Sequence, residues 1–318
     1  MTHSSFSTSG RARRTSRALP RALLGKAARG CLGALEPFVA RVVRKTEPPR
    51  TADAETDFQM LQSRHRPPAE YGYDGPSLWR RGLARAESLL TVSGYADTVR
   101  ALEVGCGDAT TGALLSAYGH EVVLNDMEDW RAPGARQMGF CLGRVEDGLP
   151  LPSSSFDLVY SYNTFEHILE PRAALGEMVR LTRPGGTILL DFGPLYSSPR
   201  GLHAYRMLFM PYPQFLFSEQ FLRAKLRETG VSDLGRHMSA LQPLNHWRVQ
   251  QYTALFQSGG CHVRSLRLHH TRSALPIVLR YPASFQGRGL CVEDLTVSFI
   301  TAVLGRPAEP SPPQKGMP

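Results

Sequence analysis

The chain has 318 residues, of which 42% are apolar and 20% charged, the balance of a globular protein with ample side chains for a core. Its formal net charge of +9 lies wholly within residues 1–50, where eleven Lys and Arg face only Glu36 and Glu47, and the rest of the chain carries 26 basic and 26 acidic side chains. A neutral main region argues against an enzyme that grips nucleic acid, which needs its basic surface beside the reacting base. No apolar run approaches the ~20 residues that span a bilayer. Five cysteines without a CxxC pair offer no metal framework and point to a reducing, cytoplasmic setting.

In chain order, residues 1–50 form a basic arm whose first part is rich in Ser, Thr and Arg and reads as disordered. Leu23, Leu24, Ala27, Ala28, Cys31, Leu32 and Leu35 then recur at helical spacing, continued after Pro37 by Phe38, Val39, Val42 and Val43. Residues 18–45 therefore suit peripheral contact with an anionic membrane, a docked helix, or an Arg-rich targeting segment. A linker is expected over 51–76, a domain over 77–305, and a Pro-rich disordered tail over 306–318. Leu78, Leu83, Ala86, Leu89 and Leu90 predict a helix over 77–90.

The organising stretch is 100–130. Ala101 to Val104 form a short apolar strand that ends at Gly105-Cys106-Gly107; a helical pattern follows (Ala113, Leu114, Leu115, Ala117), then apolar Val122-Val123-Leu124 and a carboxylate, Asp126. Glycines at such a turn admit a ligand where a Cβ would stand, and the next helix points its free N–H groups to the same place. A dinucleotide GxGxxG would need glycine at 110, where Thr stands. Farther on, Phe156 to Ser161 reads as strand four and Pro171 to Leu181 as an amphipathic helix. Pro184-Gly185-Gly186 should stop that helix before a strand over 187–192. Val263 to His269 and Leu295 to Val303 should supply the last two strands, antiparallel at one edge.

The loop Glu103-x-Gly105-x-Gly107 resembles motif I of the class I S-adenosylmethionine (SAM) methyltransferases, with Ala109 in place of the third glycine, a mild change in size. Residues 148–186 resemble the second half of the same core. The resemblance implies an α/β fold: a Rossmann-like, doubly wound, seven-stranded and mostly parallel sheet with an antiparallel edge strand, preceded by the basic arm. It also implies SAM as cofactor. Glu103 would then hold the methionine end, Gly105 and Gly107 would pack beneath it, and Asp126, with Met127 beside it, would take the ribose hydroxyls. Glu146 and Asp147 would lie near the adenine, and Asn163 would face the cofactor from the end of strand four.

Candidate catalytic residues are His167, which follows strand four, and His203, in the aromatic and Pro-rich insertion 193–219. The insertion resembles the GxHxY stretch of bacterial small-molecule and sugar-type methyltransferases through Gly201, His203 and Tyr205, with Gln214 where His is expected. A histidine has the right unperturbed pKa to take a proton from a hydroxyl acceptor. No metal is expected, because Asn163 stands where related sites place an acid. The expectation is methyl transfer to a small-molecule or sugar-like acceptor, with no nucleic acid partner. A SAM-binding accessory protein and a nucleic-acid methyltransferase are the alternatives.

Overall fold

Apolar runs bounded by glycine, proline and polar turns become strands buried on both faces, and the 3.6-period segments between them become the covering helices. The computed structural model describes residues 32–66, 72–93, 98–233, 236–238 and 240–308. In chain order, α1 (Glu36–Val43), α2 (Glu55–Arg64) and α3 (Gly75–Ser93) lead into β1 (Arg100–Val104), α4 (Thr110–Ala117), β2 (Glu121–Asp126), β3 (Gly139–Leu142), β4 (Phe156–Tyr162), α5 (Pro171–Leu181) and β5 (Thr182–Phe192). After the insertion come α6 (Pro213–Leu216), α7 (Glu219–Thr229), a small hairpin of β6 (Val231–Asp233) and β7 (Arg236–Met238), and α8 (Val249–Ser258). The chain closes through β8 (His262–His270), α9 (Leu275–Arg280), α10 (Pro282–Phe285), α11 (Val292–Thr296) and β9 (Val297–Gly305).

Seven strands form one sheet in the order β3-β2-β1-β4-β5-β9-β8. The first five are mutually parallel, and β9 runs against both β5 and β8. The architecture is the expected doubly wound α/β sheet, with antiparallel pairing confined to one edge. Strand order reverses at β1, which has β2 on one side and β4 on the other, so the loops leaving β1 and β4 diverge and open a crevice at their carboxyl ends.

The period-2 alternation of β1 divides the core. Leu102 and Val104 pack with Leu175 and Met178 of α5 and Tyr252 and Phe256 of α8. Ala101 faces the other side, with Ala86 and Leu89 of α3 and Leu114 and Leu115 of α4. Pro184-Gly185-Gly186 acts differently from expectation: α5 already ends at Leu181, β5 starts at Thr182, and the Pro-Gly-Gly segment forms an irregularity in that strand. Gly185 takes a left-handed φ of 80°, which suits a chain that must bulge without losing its place in the sheet.

A second core lies beside the sheet. Insertion residues Leu208, Tyr212, Phe215 and Phe217 are buried together with Val39 and Val43 of α1, Phe58 and Leu61 of α2, and Leu275 and Val278 of α9. The segment read as a linker thus contains α2, whose Phe58 and Leu61 stand one helical turn apart on the buried face. Gln62 ties α2 to the insertion: its amide donates to the Met207 carbonyl at 2.6 Å and accepts from the Phe209 N–H at 2.9 Å. Within the arm, residues 1–31 lie outside the described part. Val39 and Val43 of α1 are docked, and Arg272 pairs with Glu36 at 2.6 Å. Among the described residues no helix is long and apolar enough to cross a membrane.

Candidate active site

The loop leaving β1 is held by β2. Gly105 and Cys106 donate their N–H groups to the Asn125 carbonyl at 2.9 and 3.0 Å, and Gly107 donates to Asp126 Oδ2 at 2.9 Å. Three residues of this turn adopt left-handed backbone: Gly105 (φ 72°), Gly107 (φ 52°) and Ala109 (φ 64°). Ala109 is therefore a larger departure from a third glycine than its size suggests, since a Cβ in that conformation costs roughly 1–2 kcal/mol. At Gly105 space also matters, because an added Cβ would stand 2.2 Å from Thr164 Oγ1. Thr164 Oγ1 donates to the Tyr162 and Gly105 carbonyls at 3.1 and 3.3 Å, so the turn after β4 is stitched to the loop after β1. Sequence reasoning did not single out Thr164. Its position, two residues beyond the end of β4, carries no signal of which loop it would meet.

Asp126 ends β2. Besides Gly107 on Oδ2, the Met127 and Glu128 N–H groups donate to Oδ1 at 2.8 and 3.5 Å. A carboxylate has about four lone-pair sites, so one, on Oδ2, is left for a hydroxyl. Burial raises its pKa, and these backbone N–H groups act in the opposite direction. Met127, 56% exposed, presents an apolar surface beside it. Glu146 and Asp147 occupy a 3-10 turn after Gly143, whose N–H donates to the Asp126 carbonyl at 2.9 Å. Glu146 is paired with Arg144 at 2.6 Å, and Asp147 projects into solvent.

Glu103 is nearly inaccessible, at 3% exposure, and its Oε2 accepts from the Gly112 N–H at 3.0 Å and from Tyr160 Oη at 3.2 Å. Its carboxyl thus caps the first turn of α4 from inside the sheet. Gly112 permits that approach, since a Cβ there would lie 2.7 Å from Glu103 Oε2. Burial pushes the Glu103 pKa up to about 8, against the opposing influence of Arg85. The native state then holds this proton more tightly than the unfolded chain, so the stabilisation is complete below the ordinary carboxylate pKa and is lost as pH rises toward 8. Wild type should lose roughly a few kcal/mol of stability between pH 5 and 8.5 through this group, on a scale of about 1.4 kcal/mol per pKa unit. Glu103→Gln should flatten that decline in urea unfolding, and equal slopes in the two proteins would show that Glu103 stays ionised. Cys106 is buried as well; burial pushes its thiol pKa well up, which fits a small packing side chain and not a nucleophile.

Beyond β4 the backbone turns sharply. Asn163 has a left-handed φ of 49°, and its N–H donates to the Asp191 carbonyl at 2.9 Å. Glu166, His167 and His203 follow as a cluster in which candidate ligand atoms of all three lie within 4.8 Å of one another. The two imidazole rings meet edge to face with centroids 4.8 Å apart, so the structure brings together the two histidines that sequence reasoning placed 36 positions apart. His203 is buried, and desolvation, reinforced by His167, lowers its pKa to about 3. Glu166 is 1% exposed, and burial pushes its pKa up to about 8.

Comparison with known proteins gives the same reading of the core. Residues 102–190 match the methyltransferase domain family. A demethylmenaquinone methyltransferase of Clavibacter sepedonicus is 32% identical over 120 residues, which are 36% of this chain and 46% of that protein. A malonyl-[acyl-carrier protein] O-methyltransferase of Serratia marcescens is 30% identical over 123 residues, covering 37% and 47% respectively. The chain thus spans about half the length of the curated relatives it matches. The solved structure of Haemonchus contortus phosphoethanolamine N-methyltransferase 2 in complex with S-adenosyl-L-methionine superposes with a TM-score of 0.46 at 12% identity, covering 75% of this chain and 58% of that one. With the sheet order, the glycine loop and the carboxylate of β2 in place, residues 102–190 carry the core of a class I SAM-dependent methyltransferase domain, with SAM as its cofactor.

Proposed function

We propose that the whole protein transfers a methyl group to a hydroxyl of a small-molecule or sugar-like acceptor. The observation that carries this reading is the juxtaposition of two sites at one crevice. The glycine loop with Asp126 lies at the end of β1 and β2, and the Glu166–His167–His203 cluster lies at the end of β4, joined to that loop through Thr164. SAM, when bound, supplies an electrophilic methyl on a sulfonium, so the protein's work is alignment and removal of the acceptor's proton. Gly105 and Gly107 leave room for the cofactor, Asp126 takes a ribose hydroxyl, Met127 covers one face of the adenine, and Asn163 lines the cofactor side of the crevice. Glu146 and Asp147 border the adenine end. The cluster at β4 deals with the proton.

Support for a small acceptor comes from the formal neutrality of the chain after residue 50 and from the insertion 193–219, whose aromatics are buried in the second core and whose His203 meets His167 beyond β4. The O-methyltransferase named among the relatives is consistent with an oxygen acceptor. On this reading the basic arm stands apart from catalysis, and residues 18–45 are the segment for any peripheral membrane contact of an otherwise cytoplasmic enzyme. Asp126→Ala should weaken SAM binding by about 1.5–3 kcal/mol, the scale of charge-assisted hydrogen bonds, measured by calorimetry. Unchanged affinity in a folded variant would move the ribose site elsewhere, and labelled SAM incubated with a metabolite extract would reveal the acceptor.

A further inference from the structure

Arg288, just past α10, is a half-buried cation that pairs with no carboxylate among the described residues. Its Nε donates to the Ser284 carbonyl at 2.6 Å and its Nη2 to the Phe215 carbonyl at 3.4 Å, while the guanidinium lies over the Phe215 ring, 4.9 Å from the centroid. A guanidinium has five N–H groups, so donors remain for a further acceptor. Burial lowers the Arg288 pKa, and only Tyr196 acts in the opposite direction. Glu219, the acid that bears on Tyr196, is itself paired with Arg223 at 2.6 Å. A planar fork of this kind, partly withdrawn from water, is best met by an anion that offers two oxygens in one plane.

Beside this cation stands an aromatic stack. The Tyr196 and His246 rings lie 3.7 Å apart between centroids with planes inclined by 13°, and Tyr196 meets Phe215 edge to face at 6.1 Å. The two stacked rings come from the segments that hold the histidines of the crevice: the Pro194 carbonyl lies 2.7 Å from His203 Nε2, and the Pro243 carbonyl 2.8 Å from His167 Nδ1. Asn245 locks the second segment onto the turn after β4, its N–H donating to the Glu166 carbonyl at 3.0 Å and its Nδ2 to the Phe165 and Ile168 carbonyls at 2.9 Å each. His246 keeps a left-handed φ of 58° there, which a non-glycine residue does only where its surroundings hold it. Arg248 closes the arrangement by donating to the carbonyls of Arg288 and Gly289. We propose that Arg288 and the Tyr196–His246 stack anchor the acceptor, which carries an anionic oxygen group, a carboxylate or a phosphate, gripped by Arg288 while the rest of the small molecule lies against the stack. The histidine cluster keeps its role with the proton. The anchoring role rests on the methyl-transfer reading, whereas anion binding at Arg288 does not.

The test titrates full-length protein with inorganic phosphate and with benzoate by calorimetry at constant ionic strength. At least one of the two should saturate at one per chain in wild type, and Arg288→Gln should bind it about tenfold more weakly or worse, the scale of charge-assisted hydrogen bonds. Arg172→Gln, which removes an exposed charge on α5, should leave the affinity unchanged. If Arg288→Gln fails to fold, phenylglyoxal labelling of wild type serves instead: the anion should slow modification of Arg288, read by peptide mass spectrometry, and not that of Arg172. Absence of saturation by either anion, wild-type affinity in folded Arg288→Gln, or an unprotected Arg288 would overturn the subsite. The labelled product formed from labelled SAM and a metabolite extract should be retained by an anion exchanger, with phosphatase abolishing retention of a phosphate but not of a carboxylate. A labelled product that is not retained overturns the anchoring role. If the anion binds at Arg288 and no labelled product forms, the anion site stands and the methyl-transfer reading falls, with the anchoring role.

Discussion

Gly105→Ala should lose roughly 2–5 kcal/mol of stability, from about 1–2 for the left-handed backbone and about 1–3 for overpacking, and its SAM binding should weaken as well. The new Cβ would lie 2.2 Å from Thr164 Oγ1 and 2.3 Å from its methyl carbon. Thr164 cannot simply rotate aside, because its hydroxyl bonds to the carbonyls of Gly105 and Tyr162. The loop must shift instead, and with it the Gly107 N–H that bonds Asp126. Adding Thr164→Ala should recover part of the loss by removing the two closest atoms, while the backbone contribution stays. Urea unfolding and calorimetry of the single and double variants check both parts. A Gly105→Ala protein that binds SAM as wild type does would show that this loop is not the cofactor's cradle.

The second large effect is on rate. His167→Gln should lower methyl transfer by roughly 10²–10⁴, the range for proton handling by a positioned group, while SAM affinity changes little. The separation is expected because His167 hangs beyond β4, with Nδ1 on the Pro243 carbonyl, whereas Gly105, Gly107 and Asp126, assigned to the cofactor, lie on the β1 and β2 side. Single-turnover kinetics with saturating SAM would measure it once an acceptor is in hand. Wild-type turnover by the variant across pH 6 to 9 would remove the cluster from the chemistry, and a parallel loss of SAM affinity would mean that His167 supports the crevice as a whole.

How far each of these arguments could be read from the chain alone depends on the range of the interactions behind it. The glycine loop, the carboxylate of β2 and the strand and helix pattern over 100–192 were legible because each depends on neighbours within one βα unit: apolar alternation sets the strand, and left-handed turns demand glycine. The edge built by β8 and β9 was legible for the same reason, to within two residues at its start. The pairing of His167 with His203 was not, although both were singled out, because residues 36 positions apart meet only when the insertion packs onto the end of β4. Nor was the burial of Glu103, whose Oε2 meets Gly112 of α4 and Tyr160 of β4. The segment 51–76 reads as a linker in isolation, since α2 has a weakly apolar composition and becomes a helix with a buried face only when the second core supplies partners for Phe58 and Leu61. Sequence by itself therefore determined the sheet and the glycine loop, whose causes are local in the chain. The lone carboxylate of Glu166 and the imidazoles that face it were decided by tertiary packing, because desolvation and the closing of distant segments exist only in the folded protein.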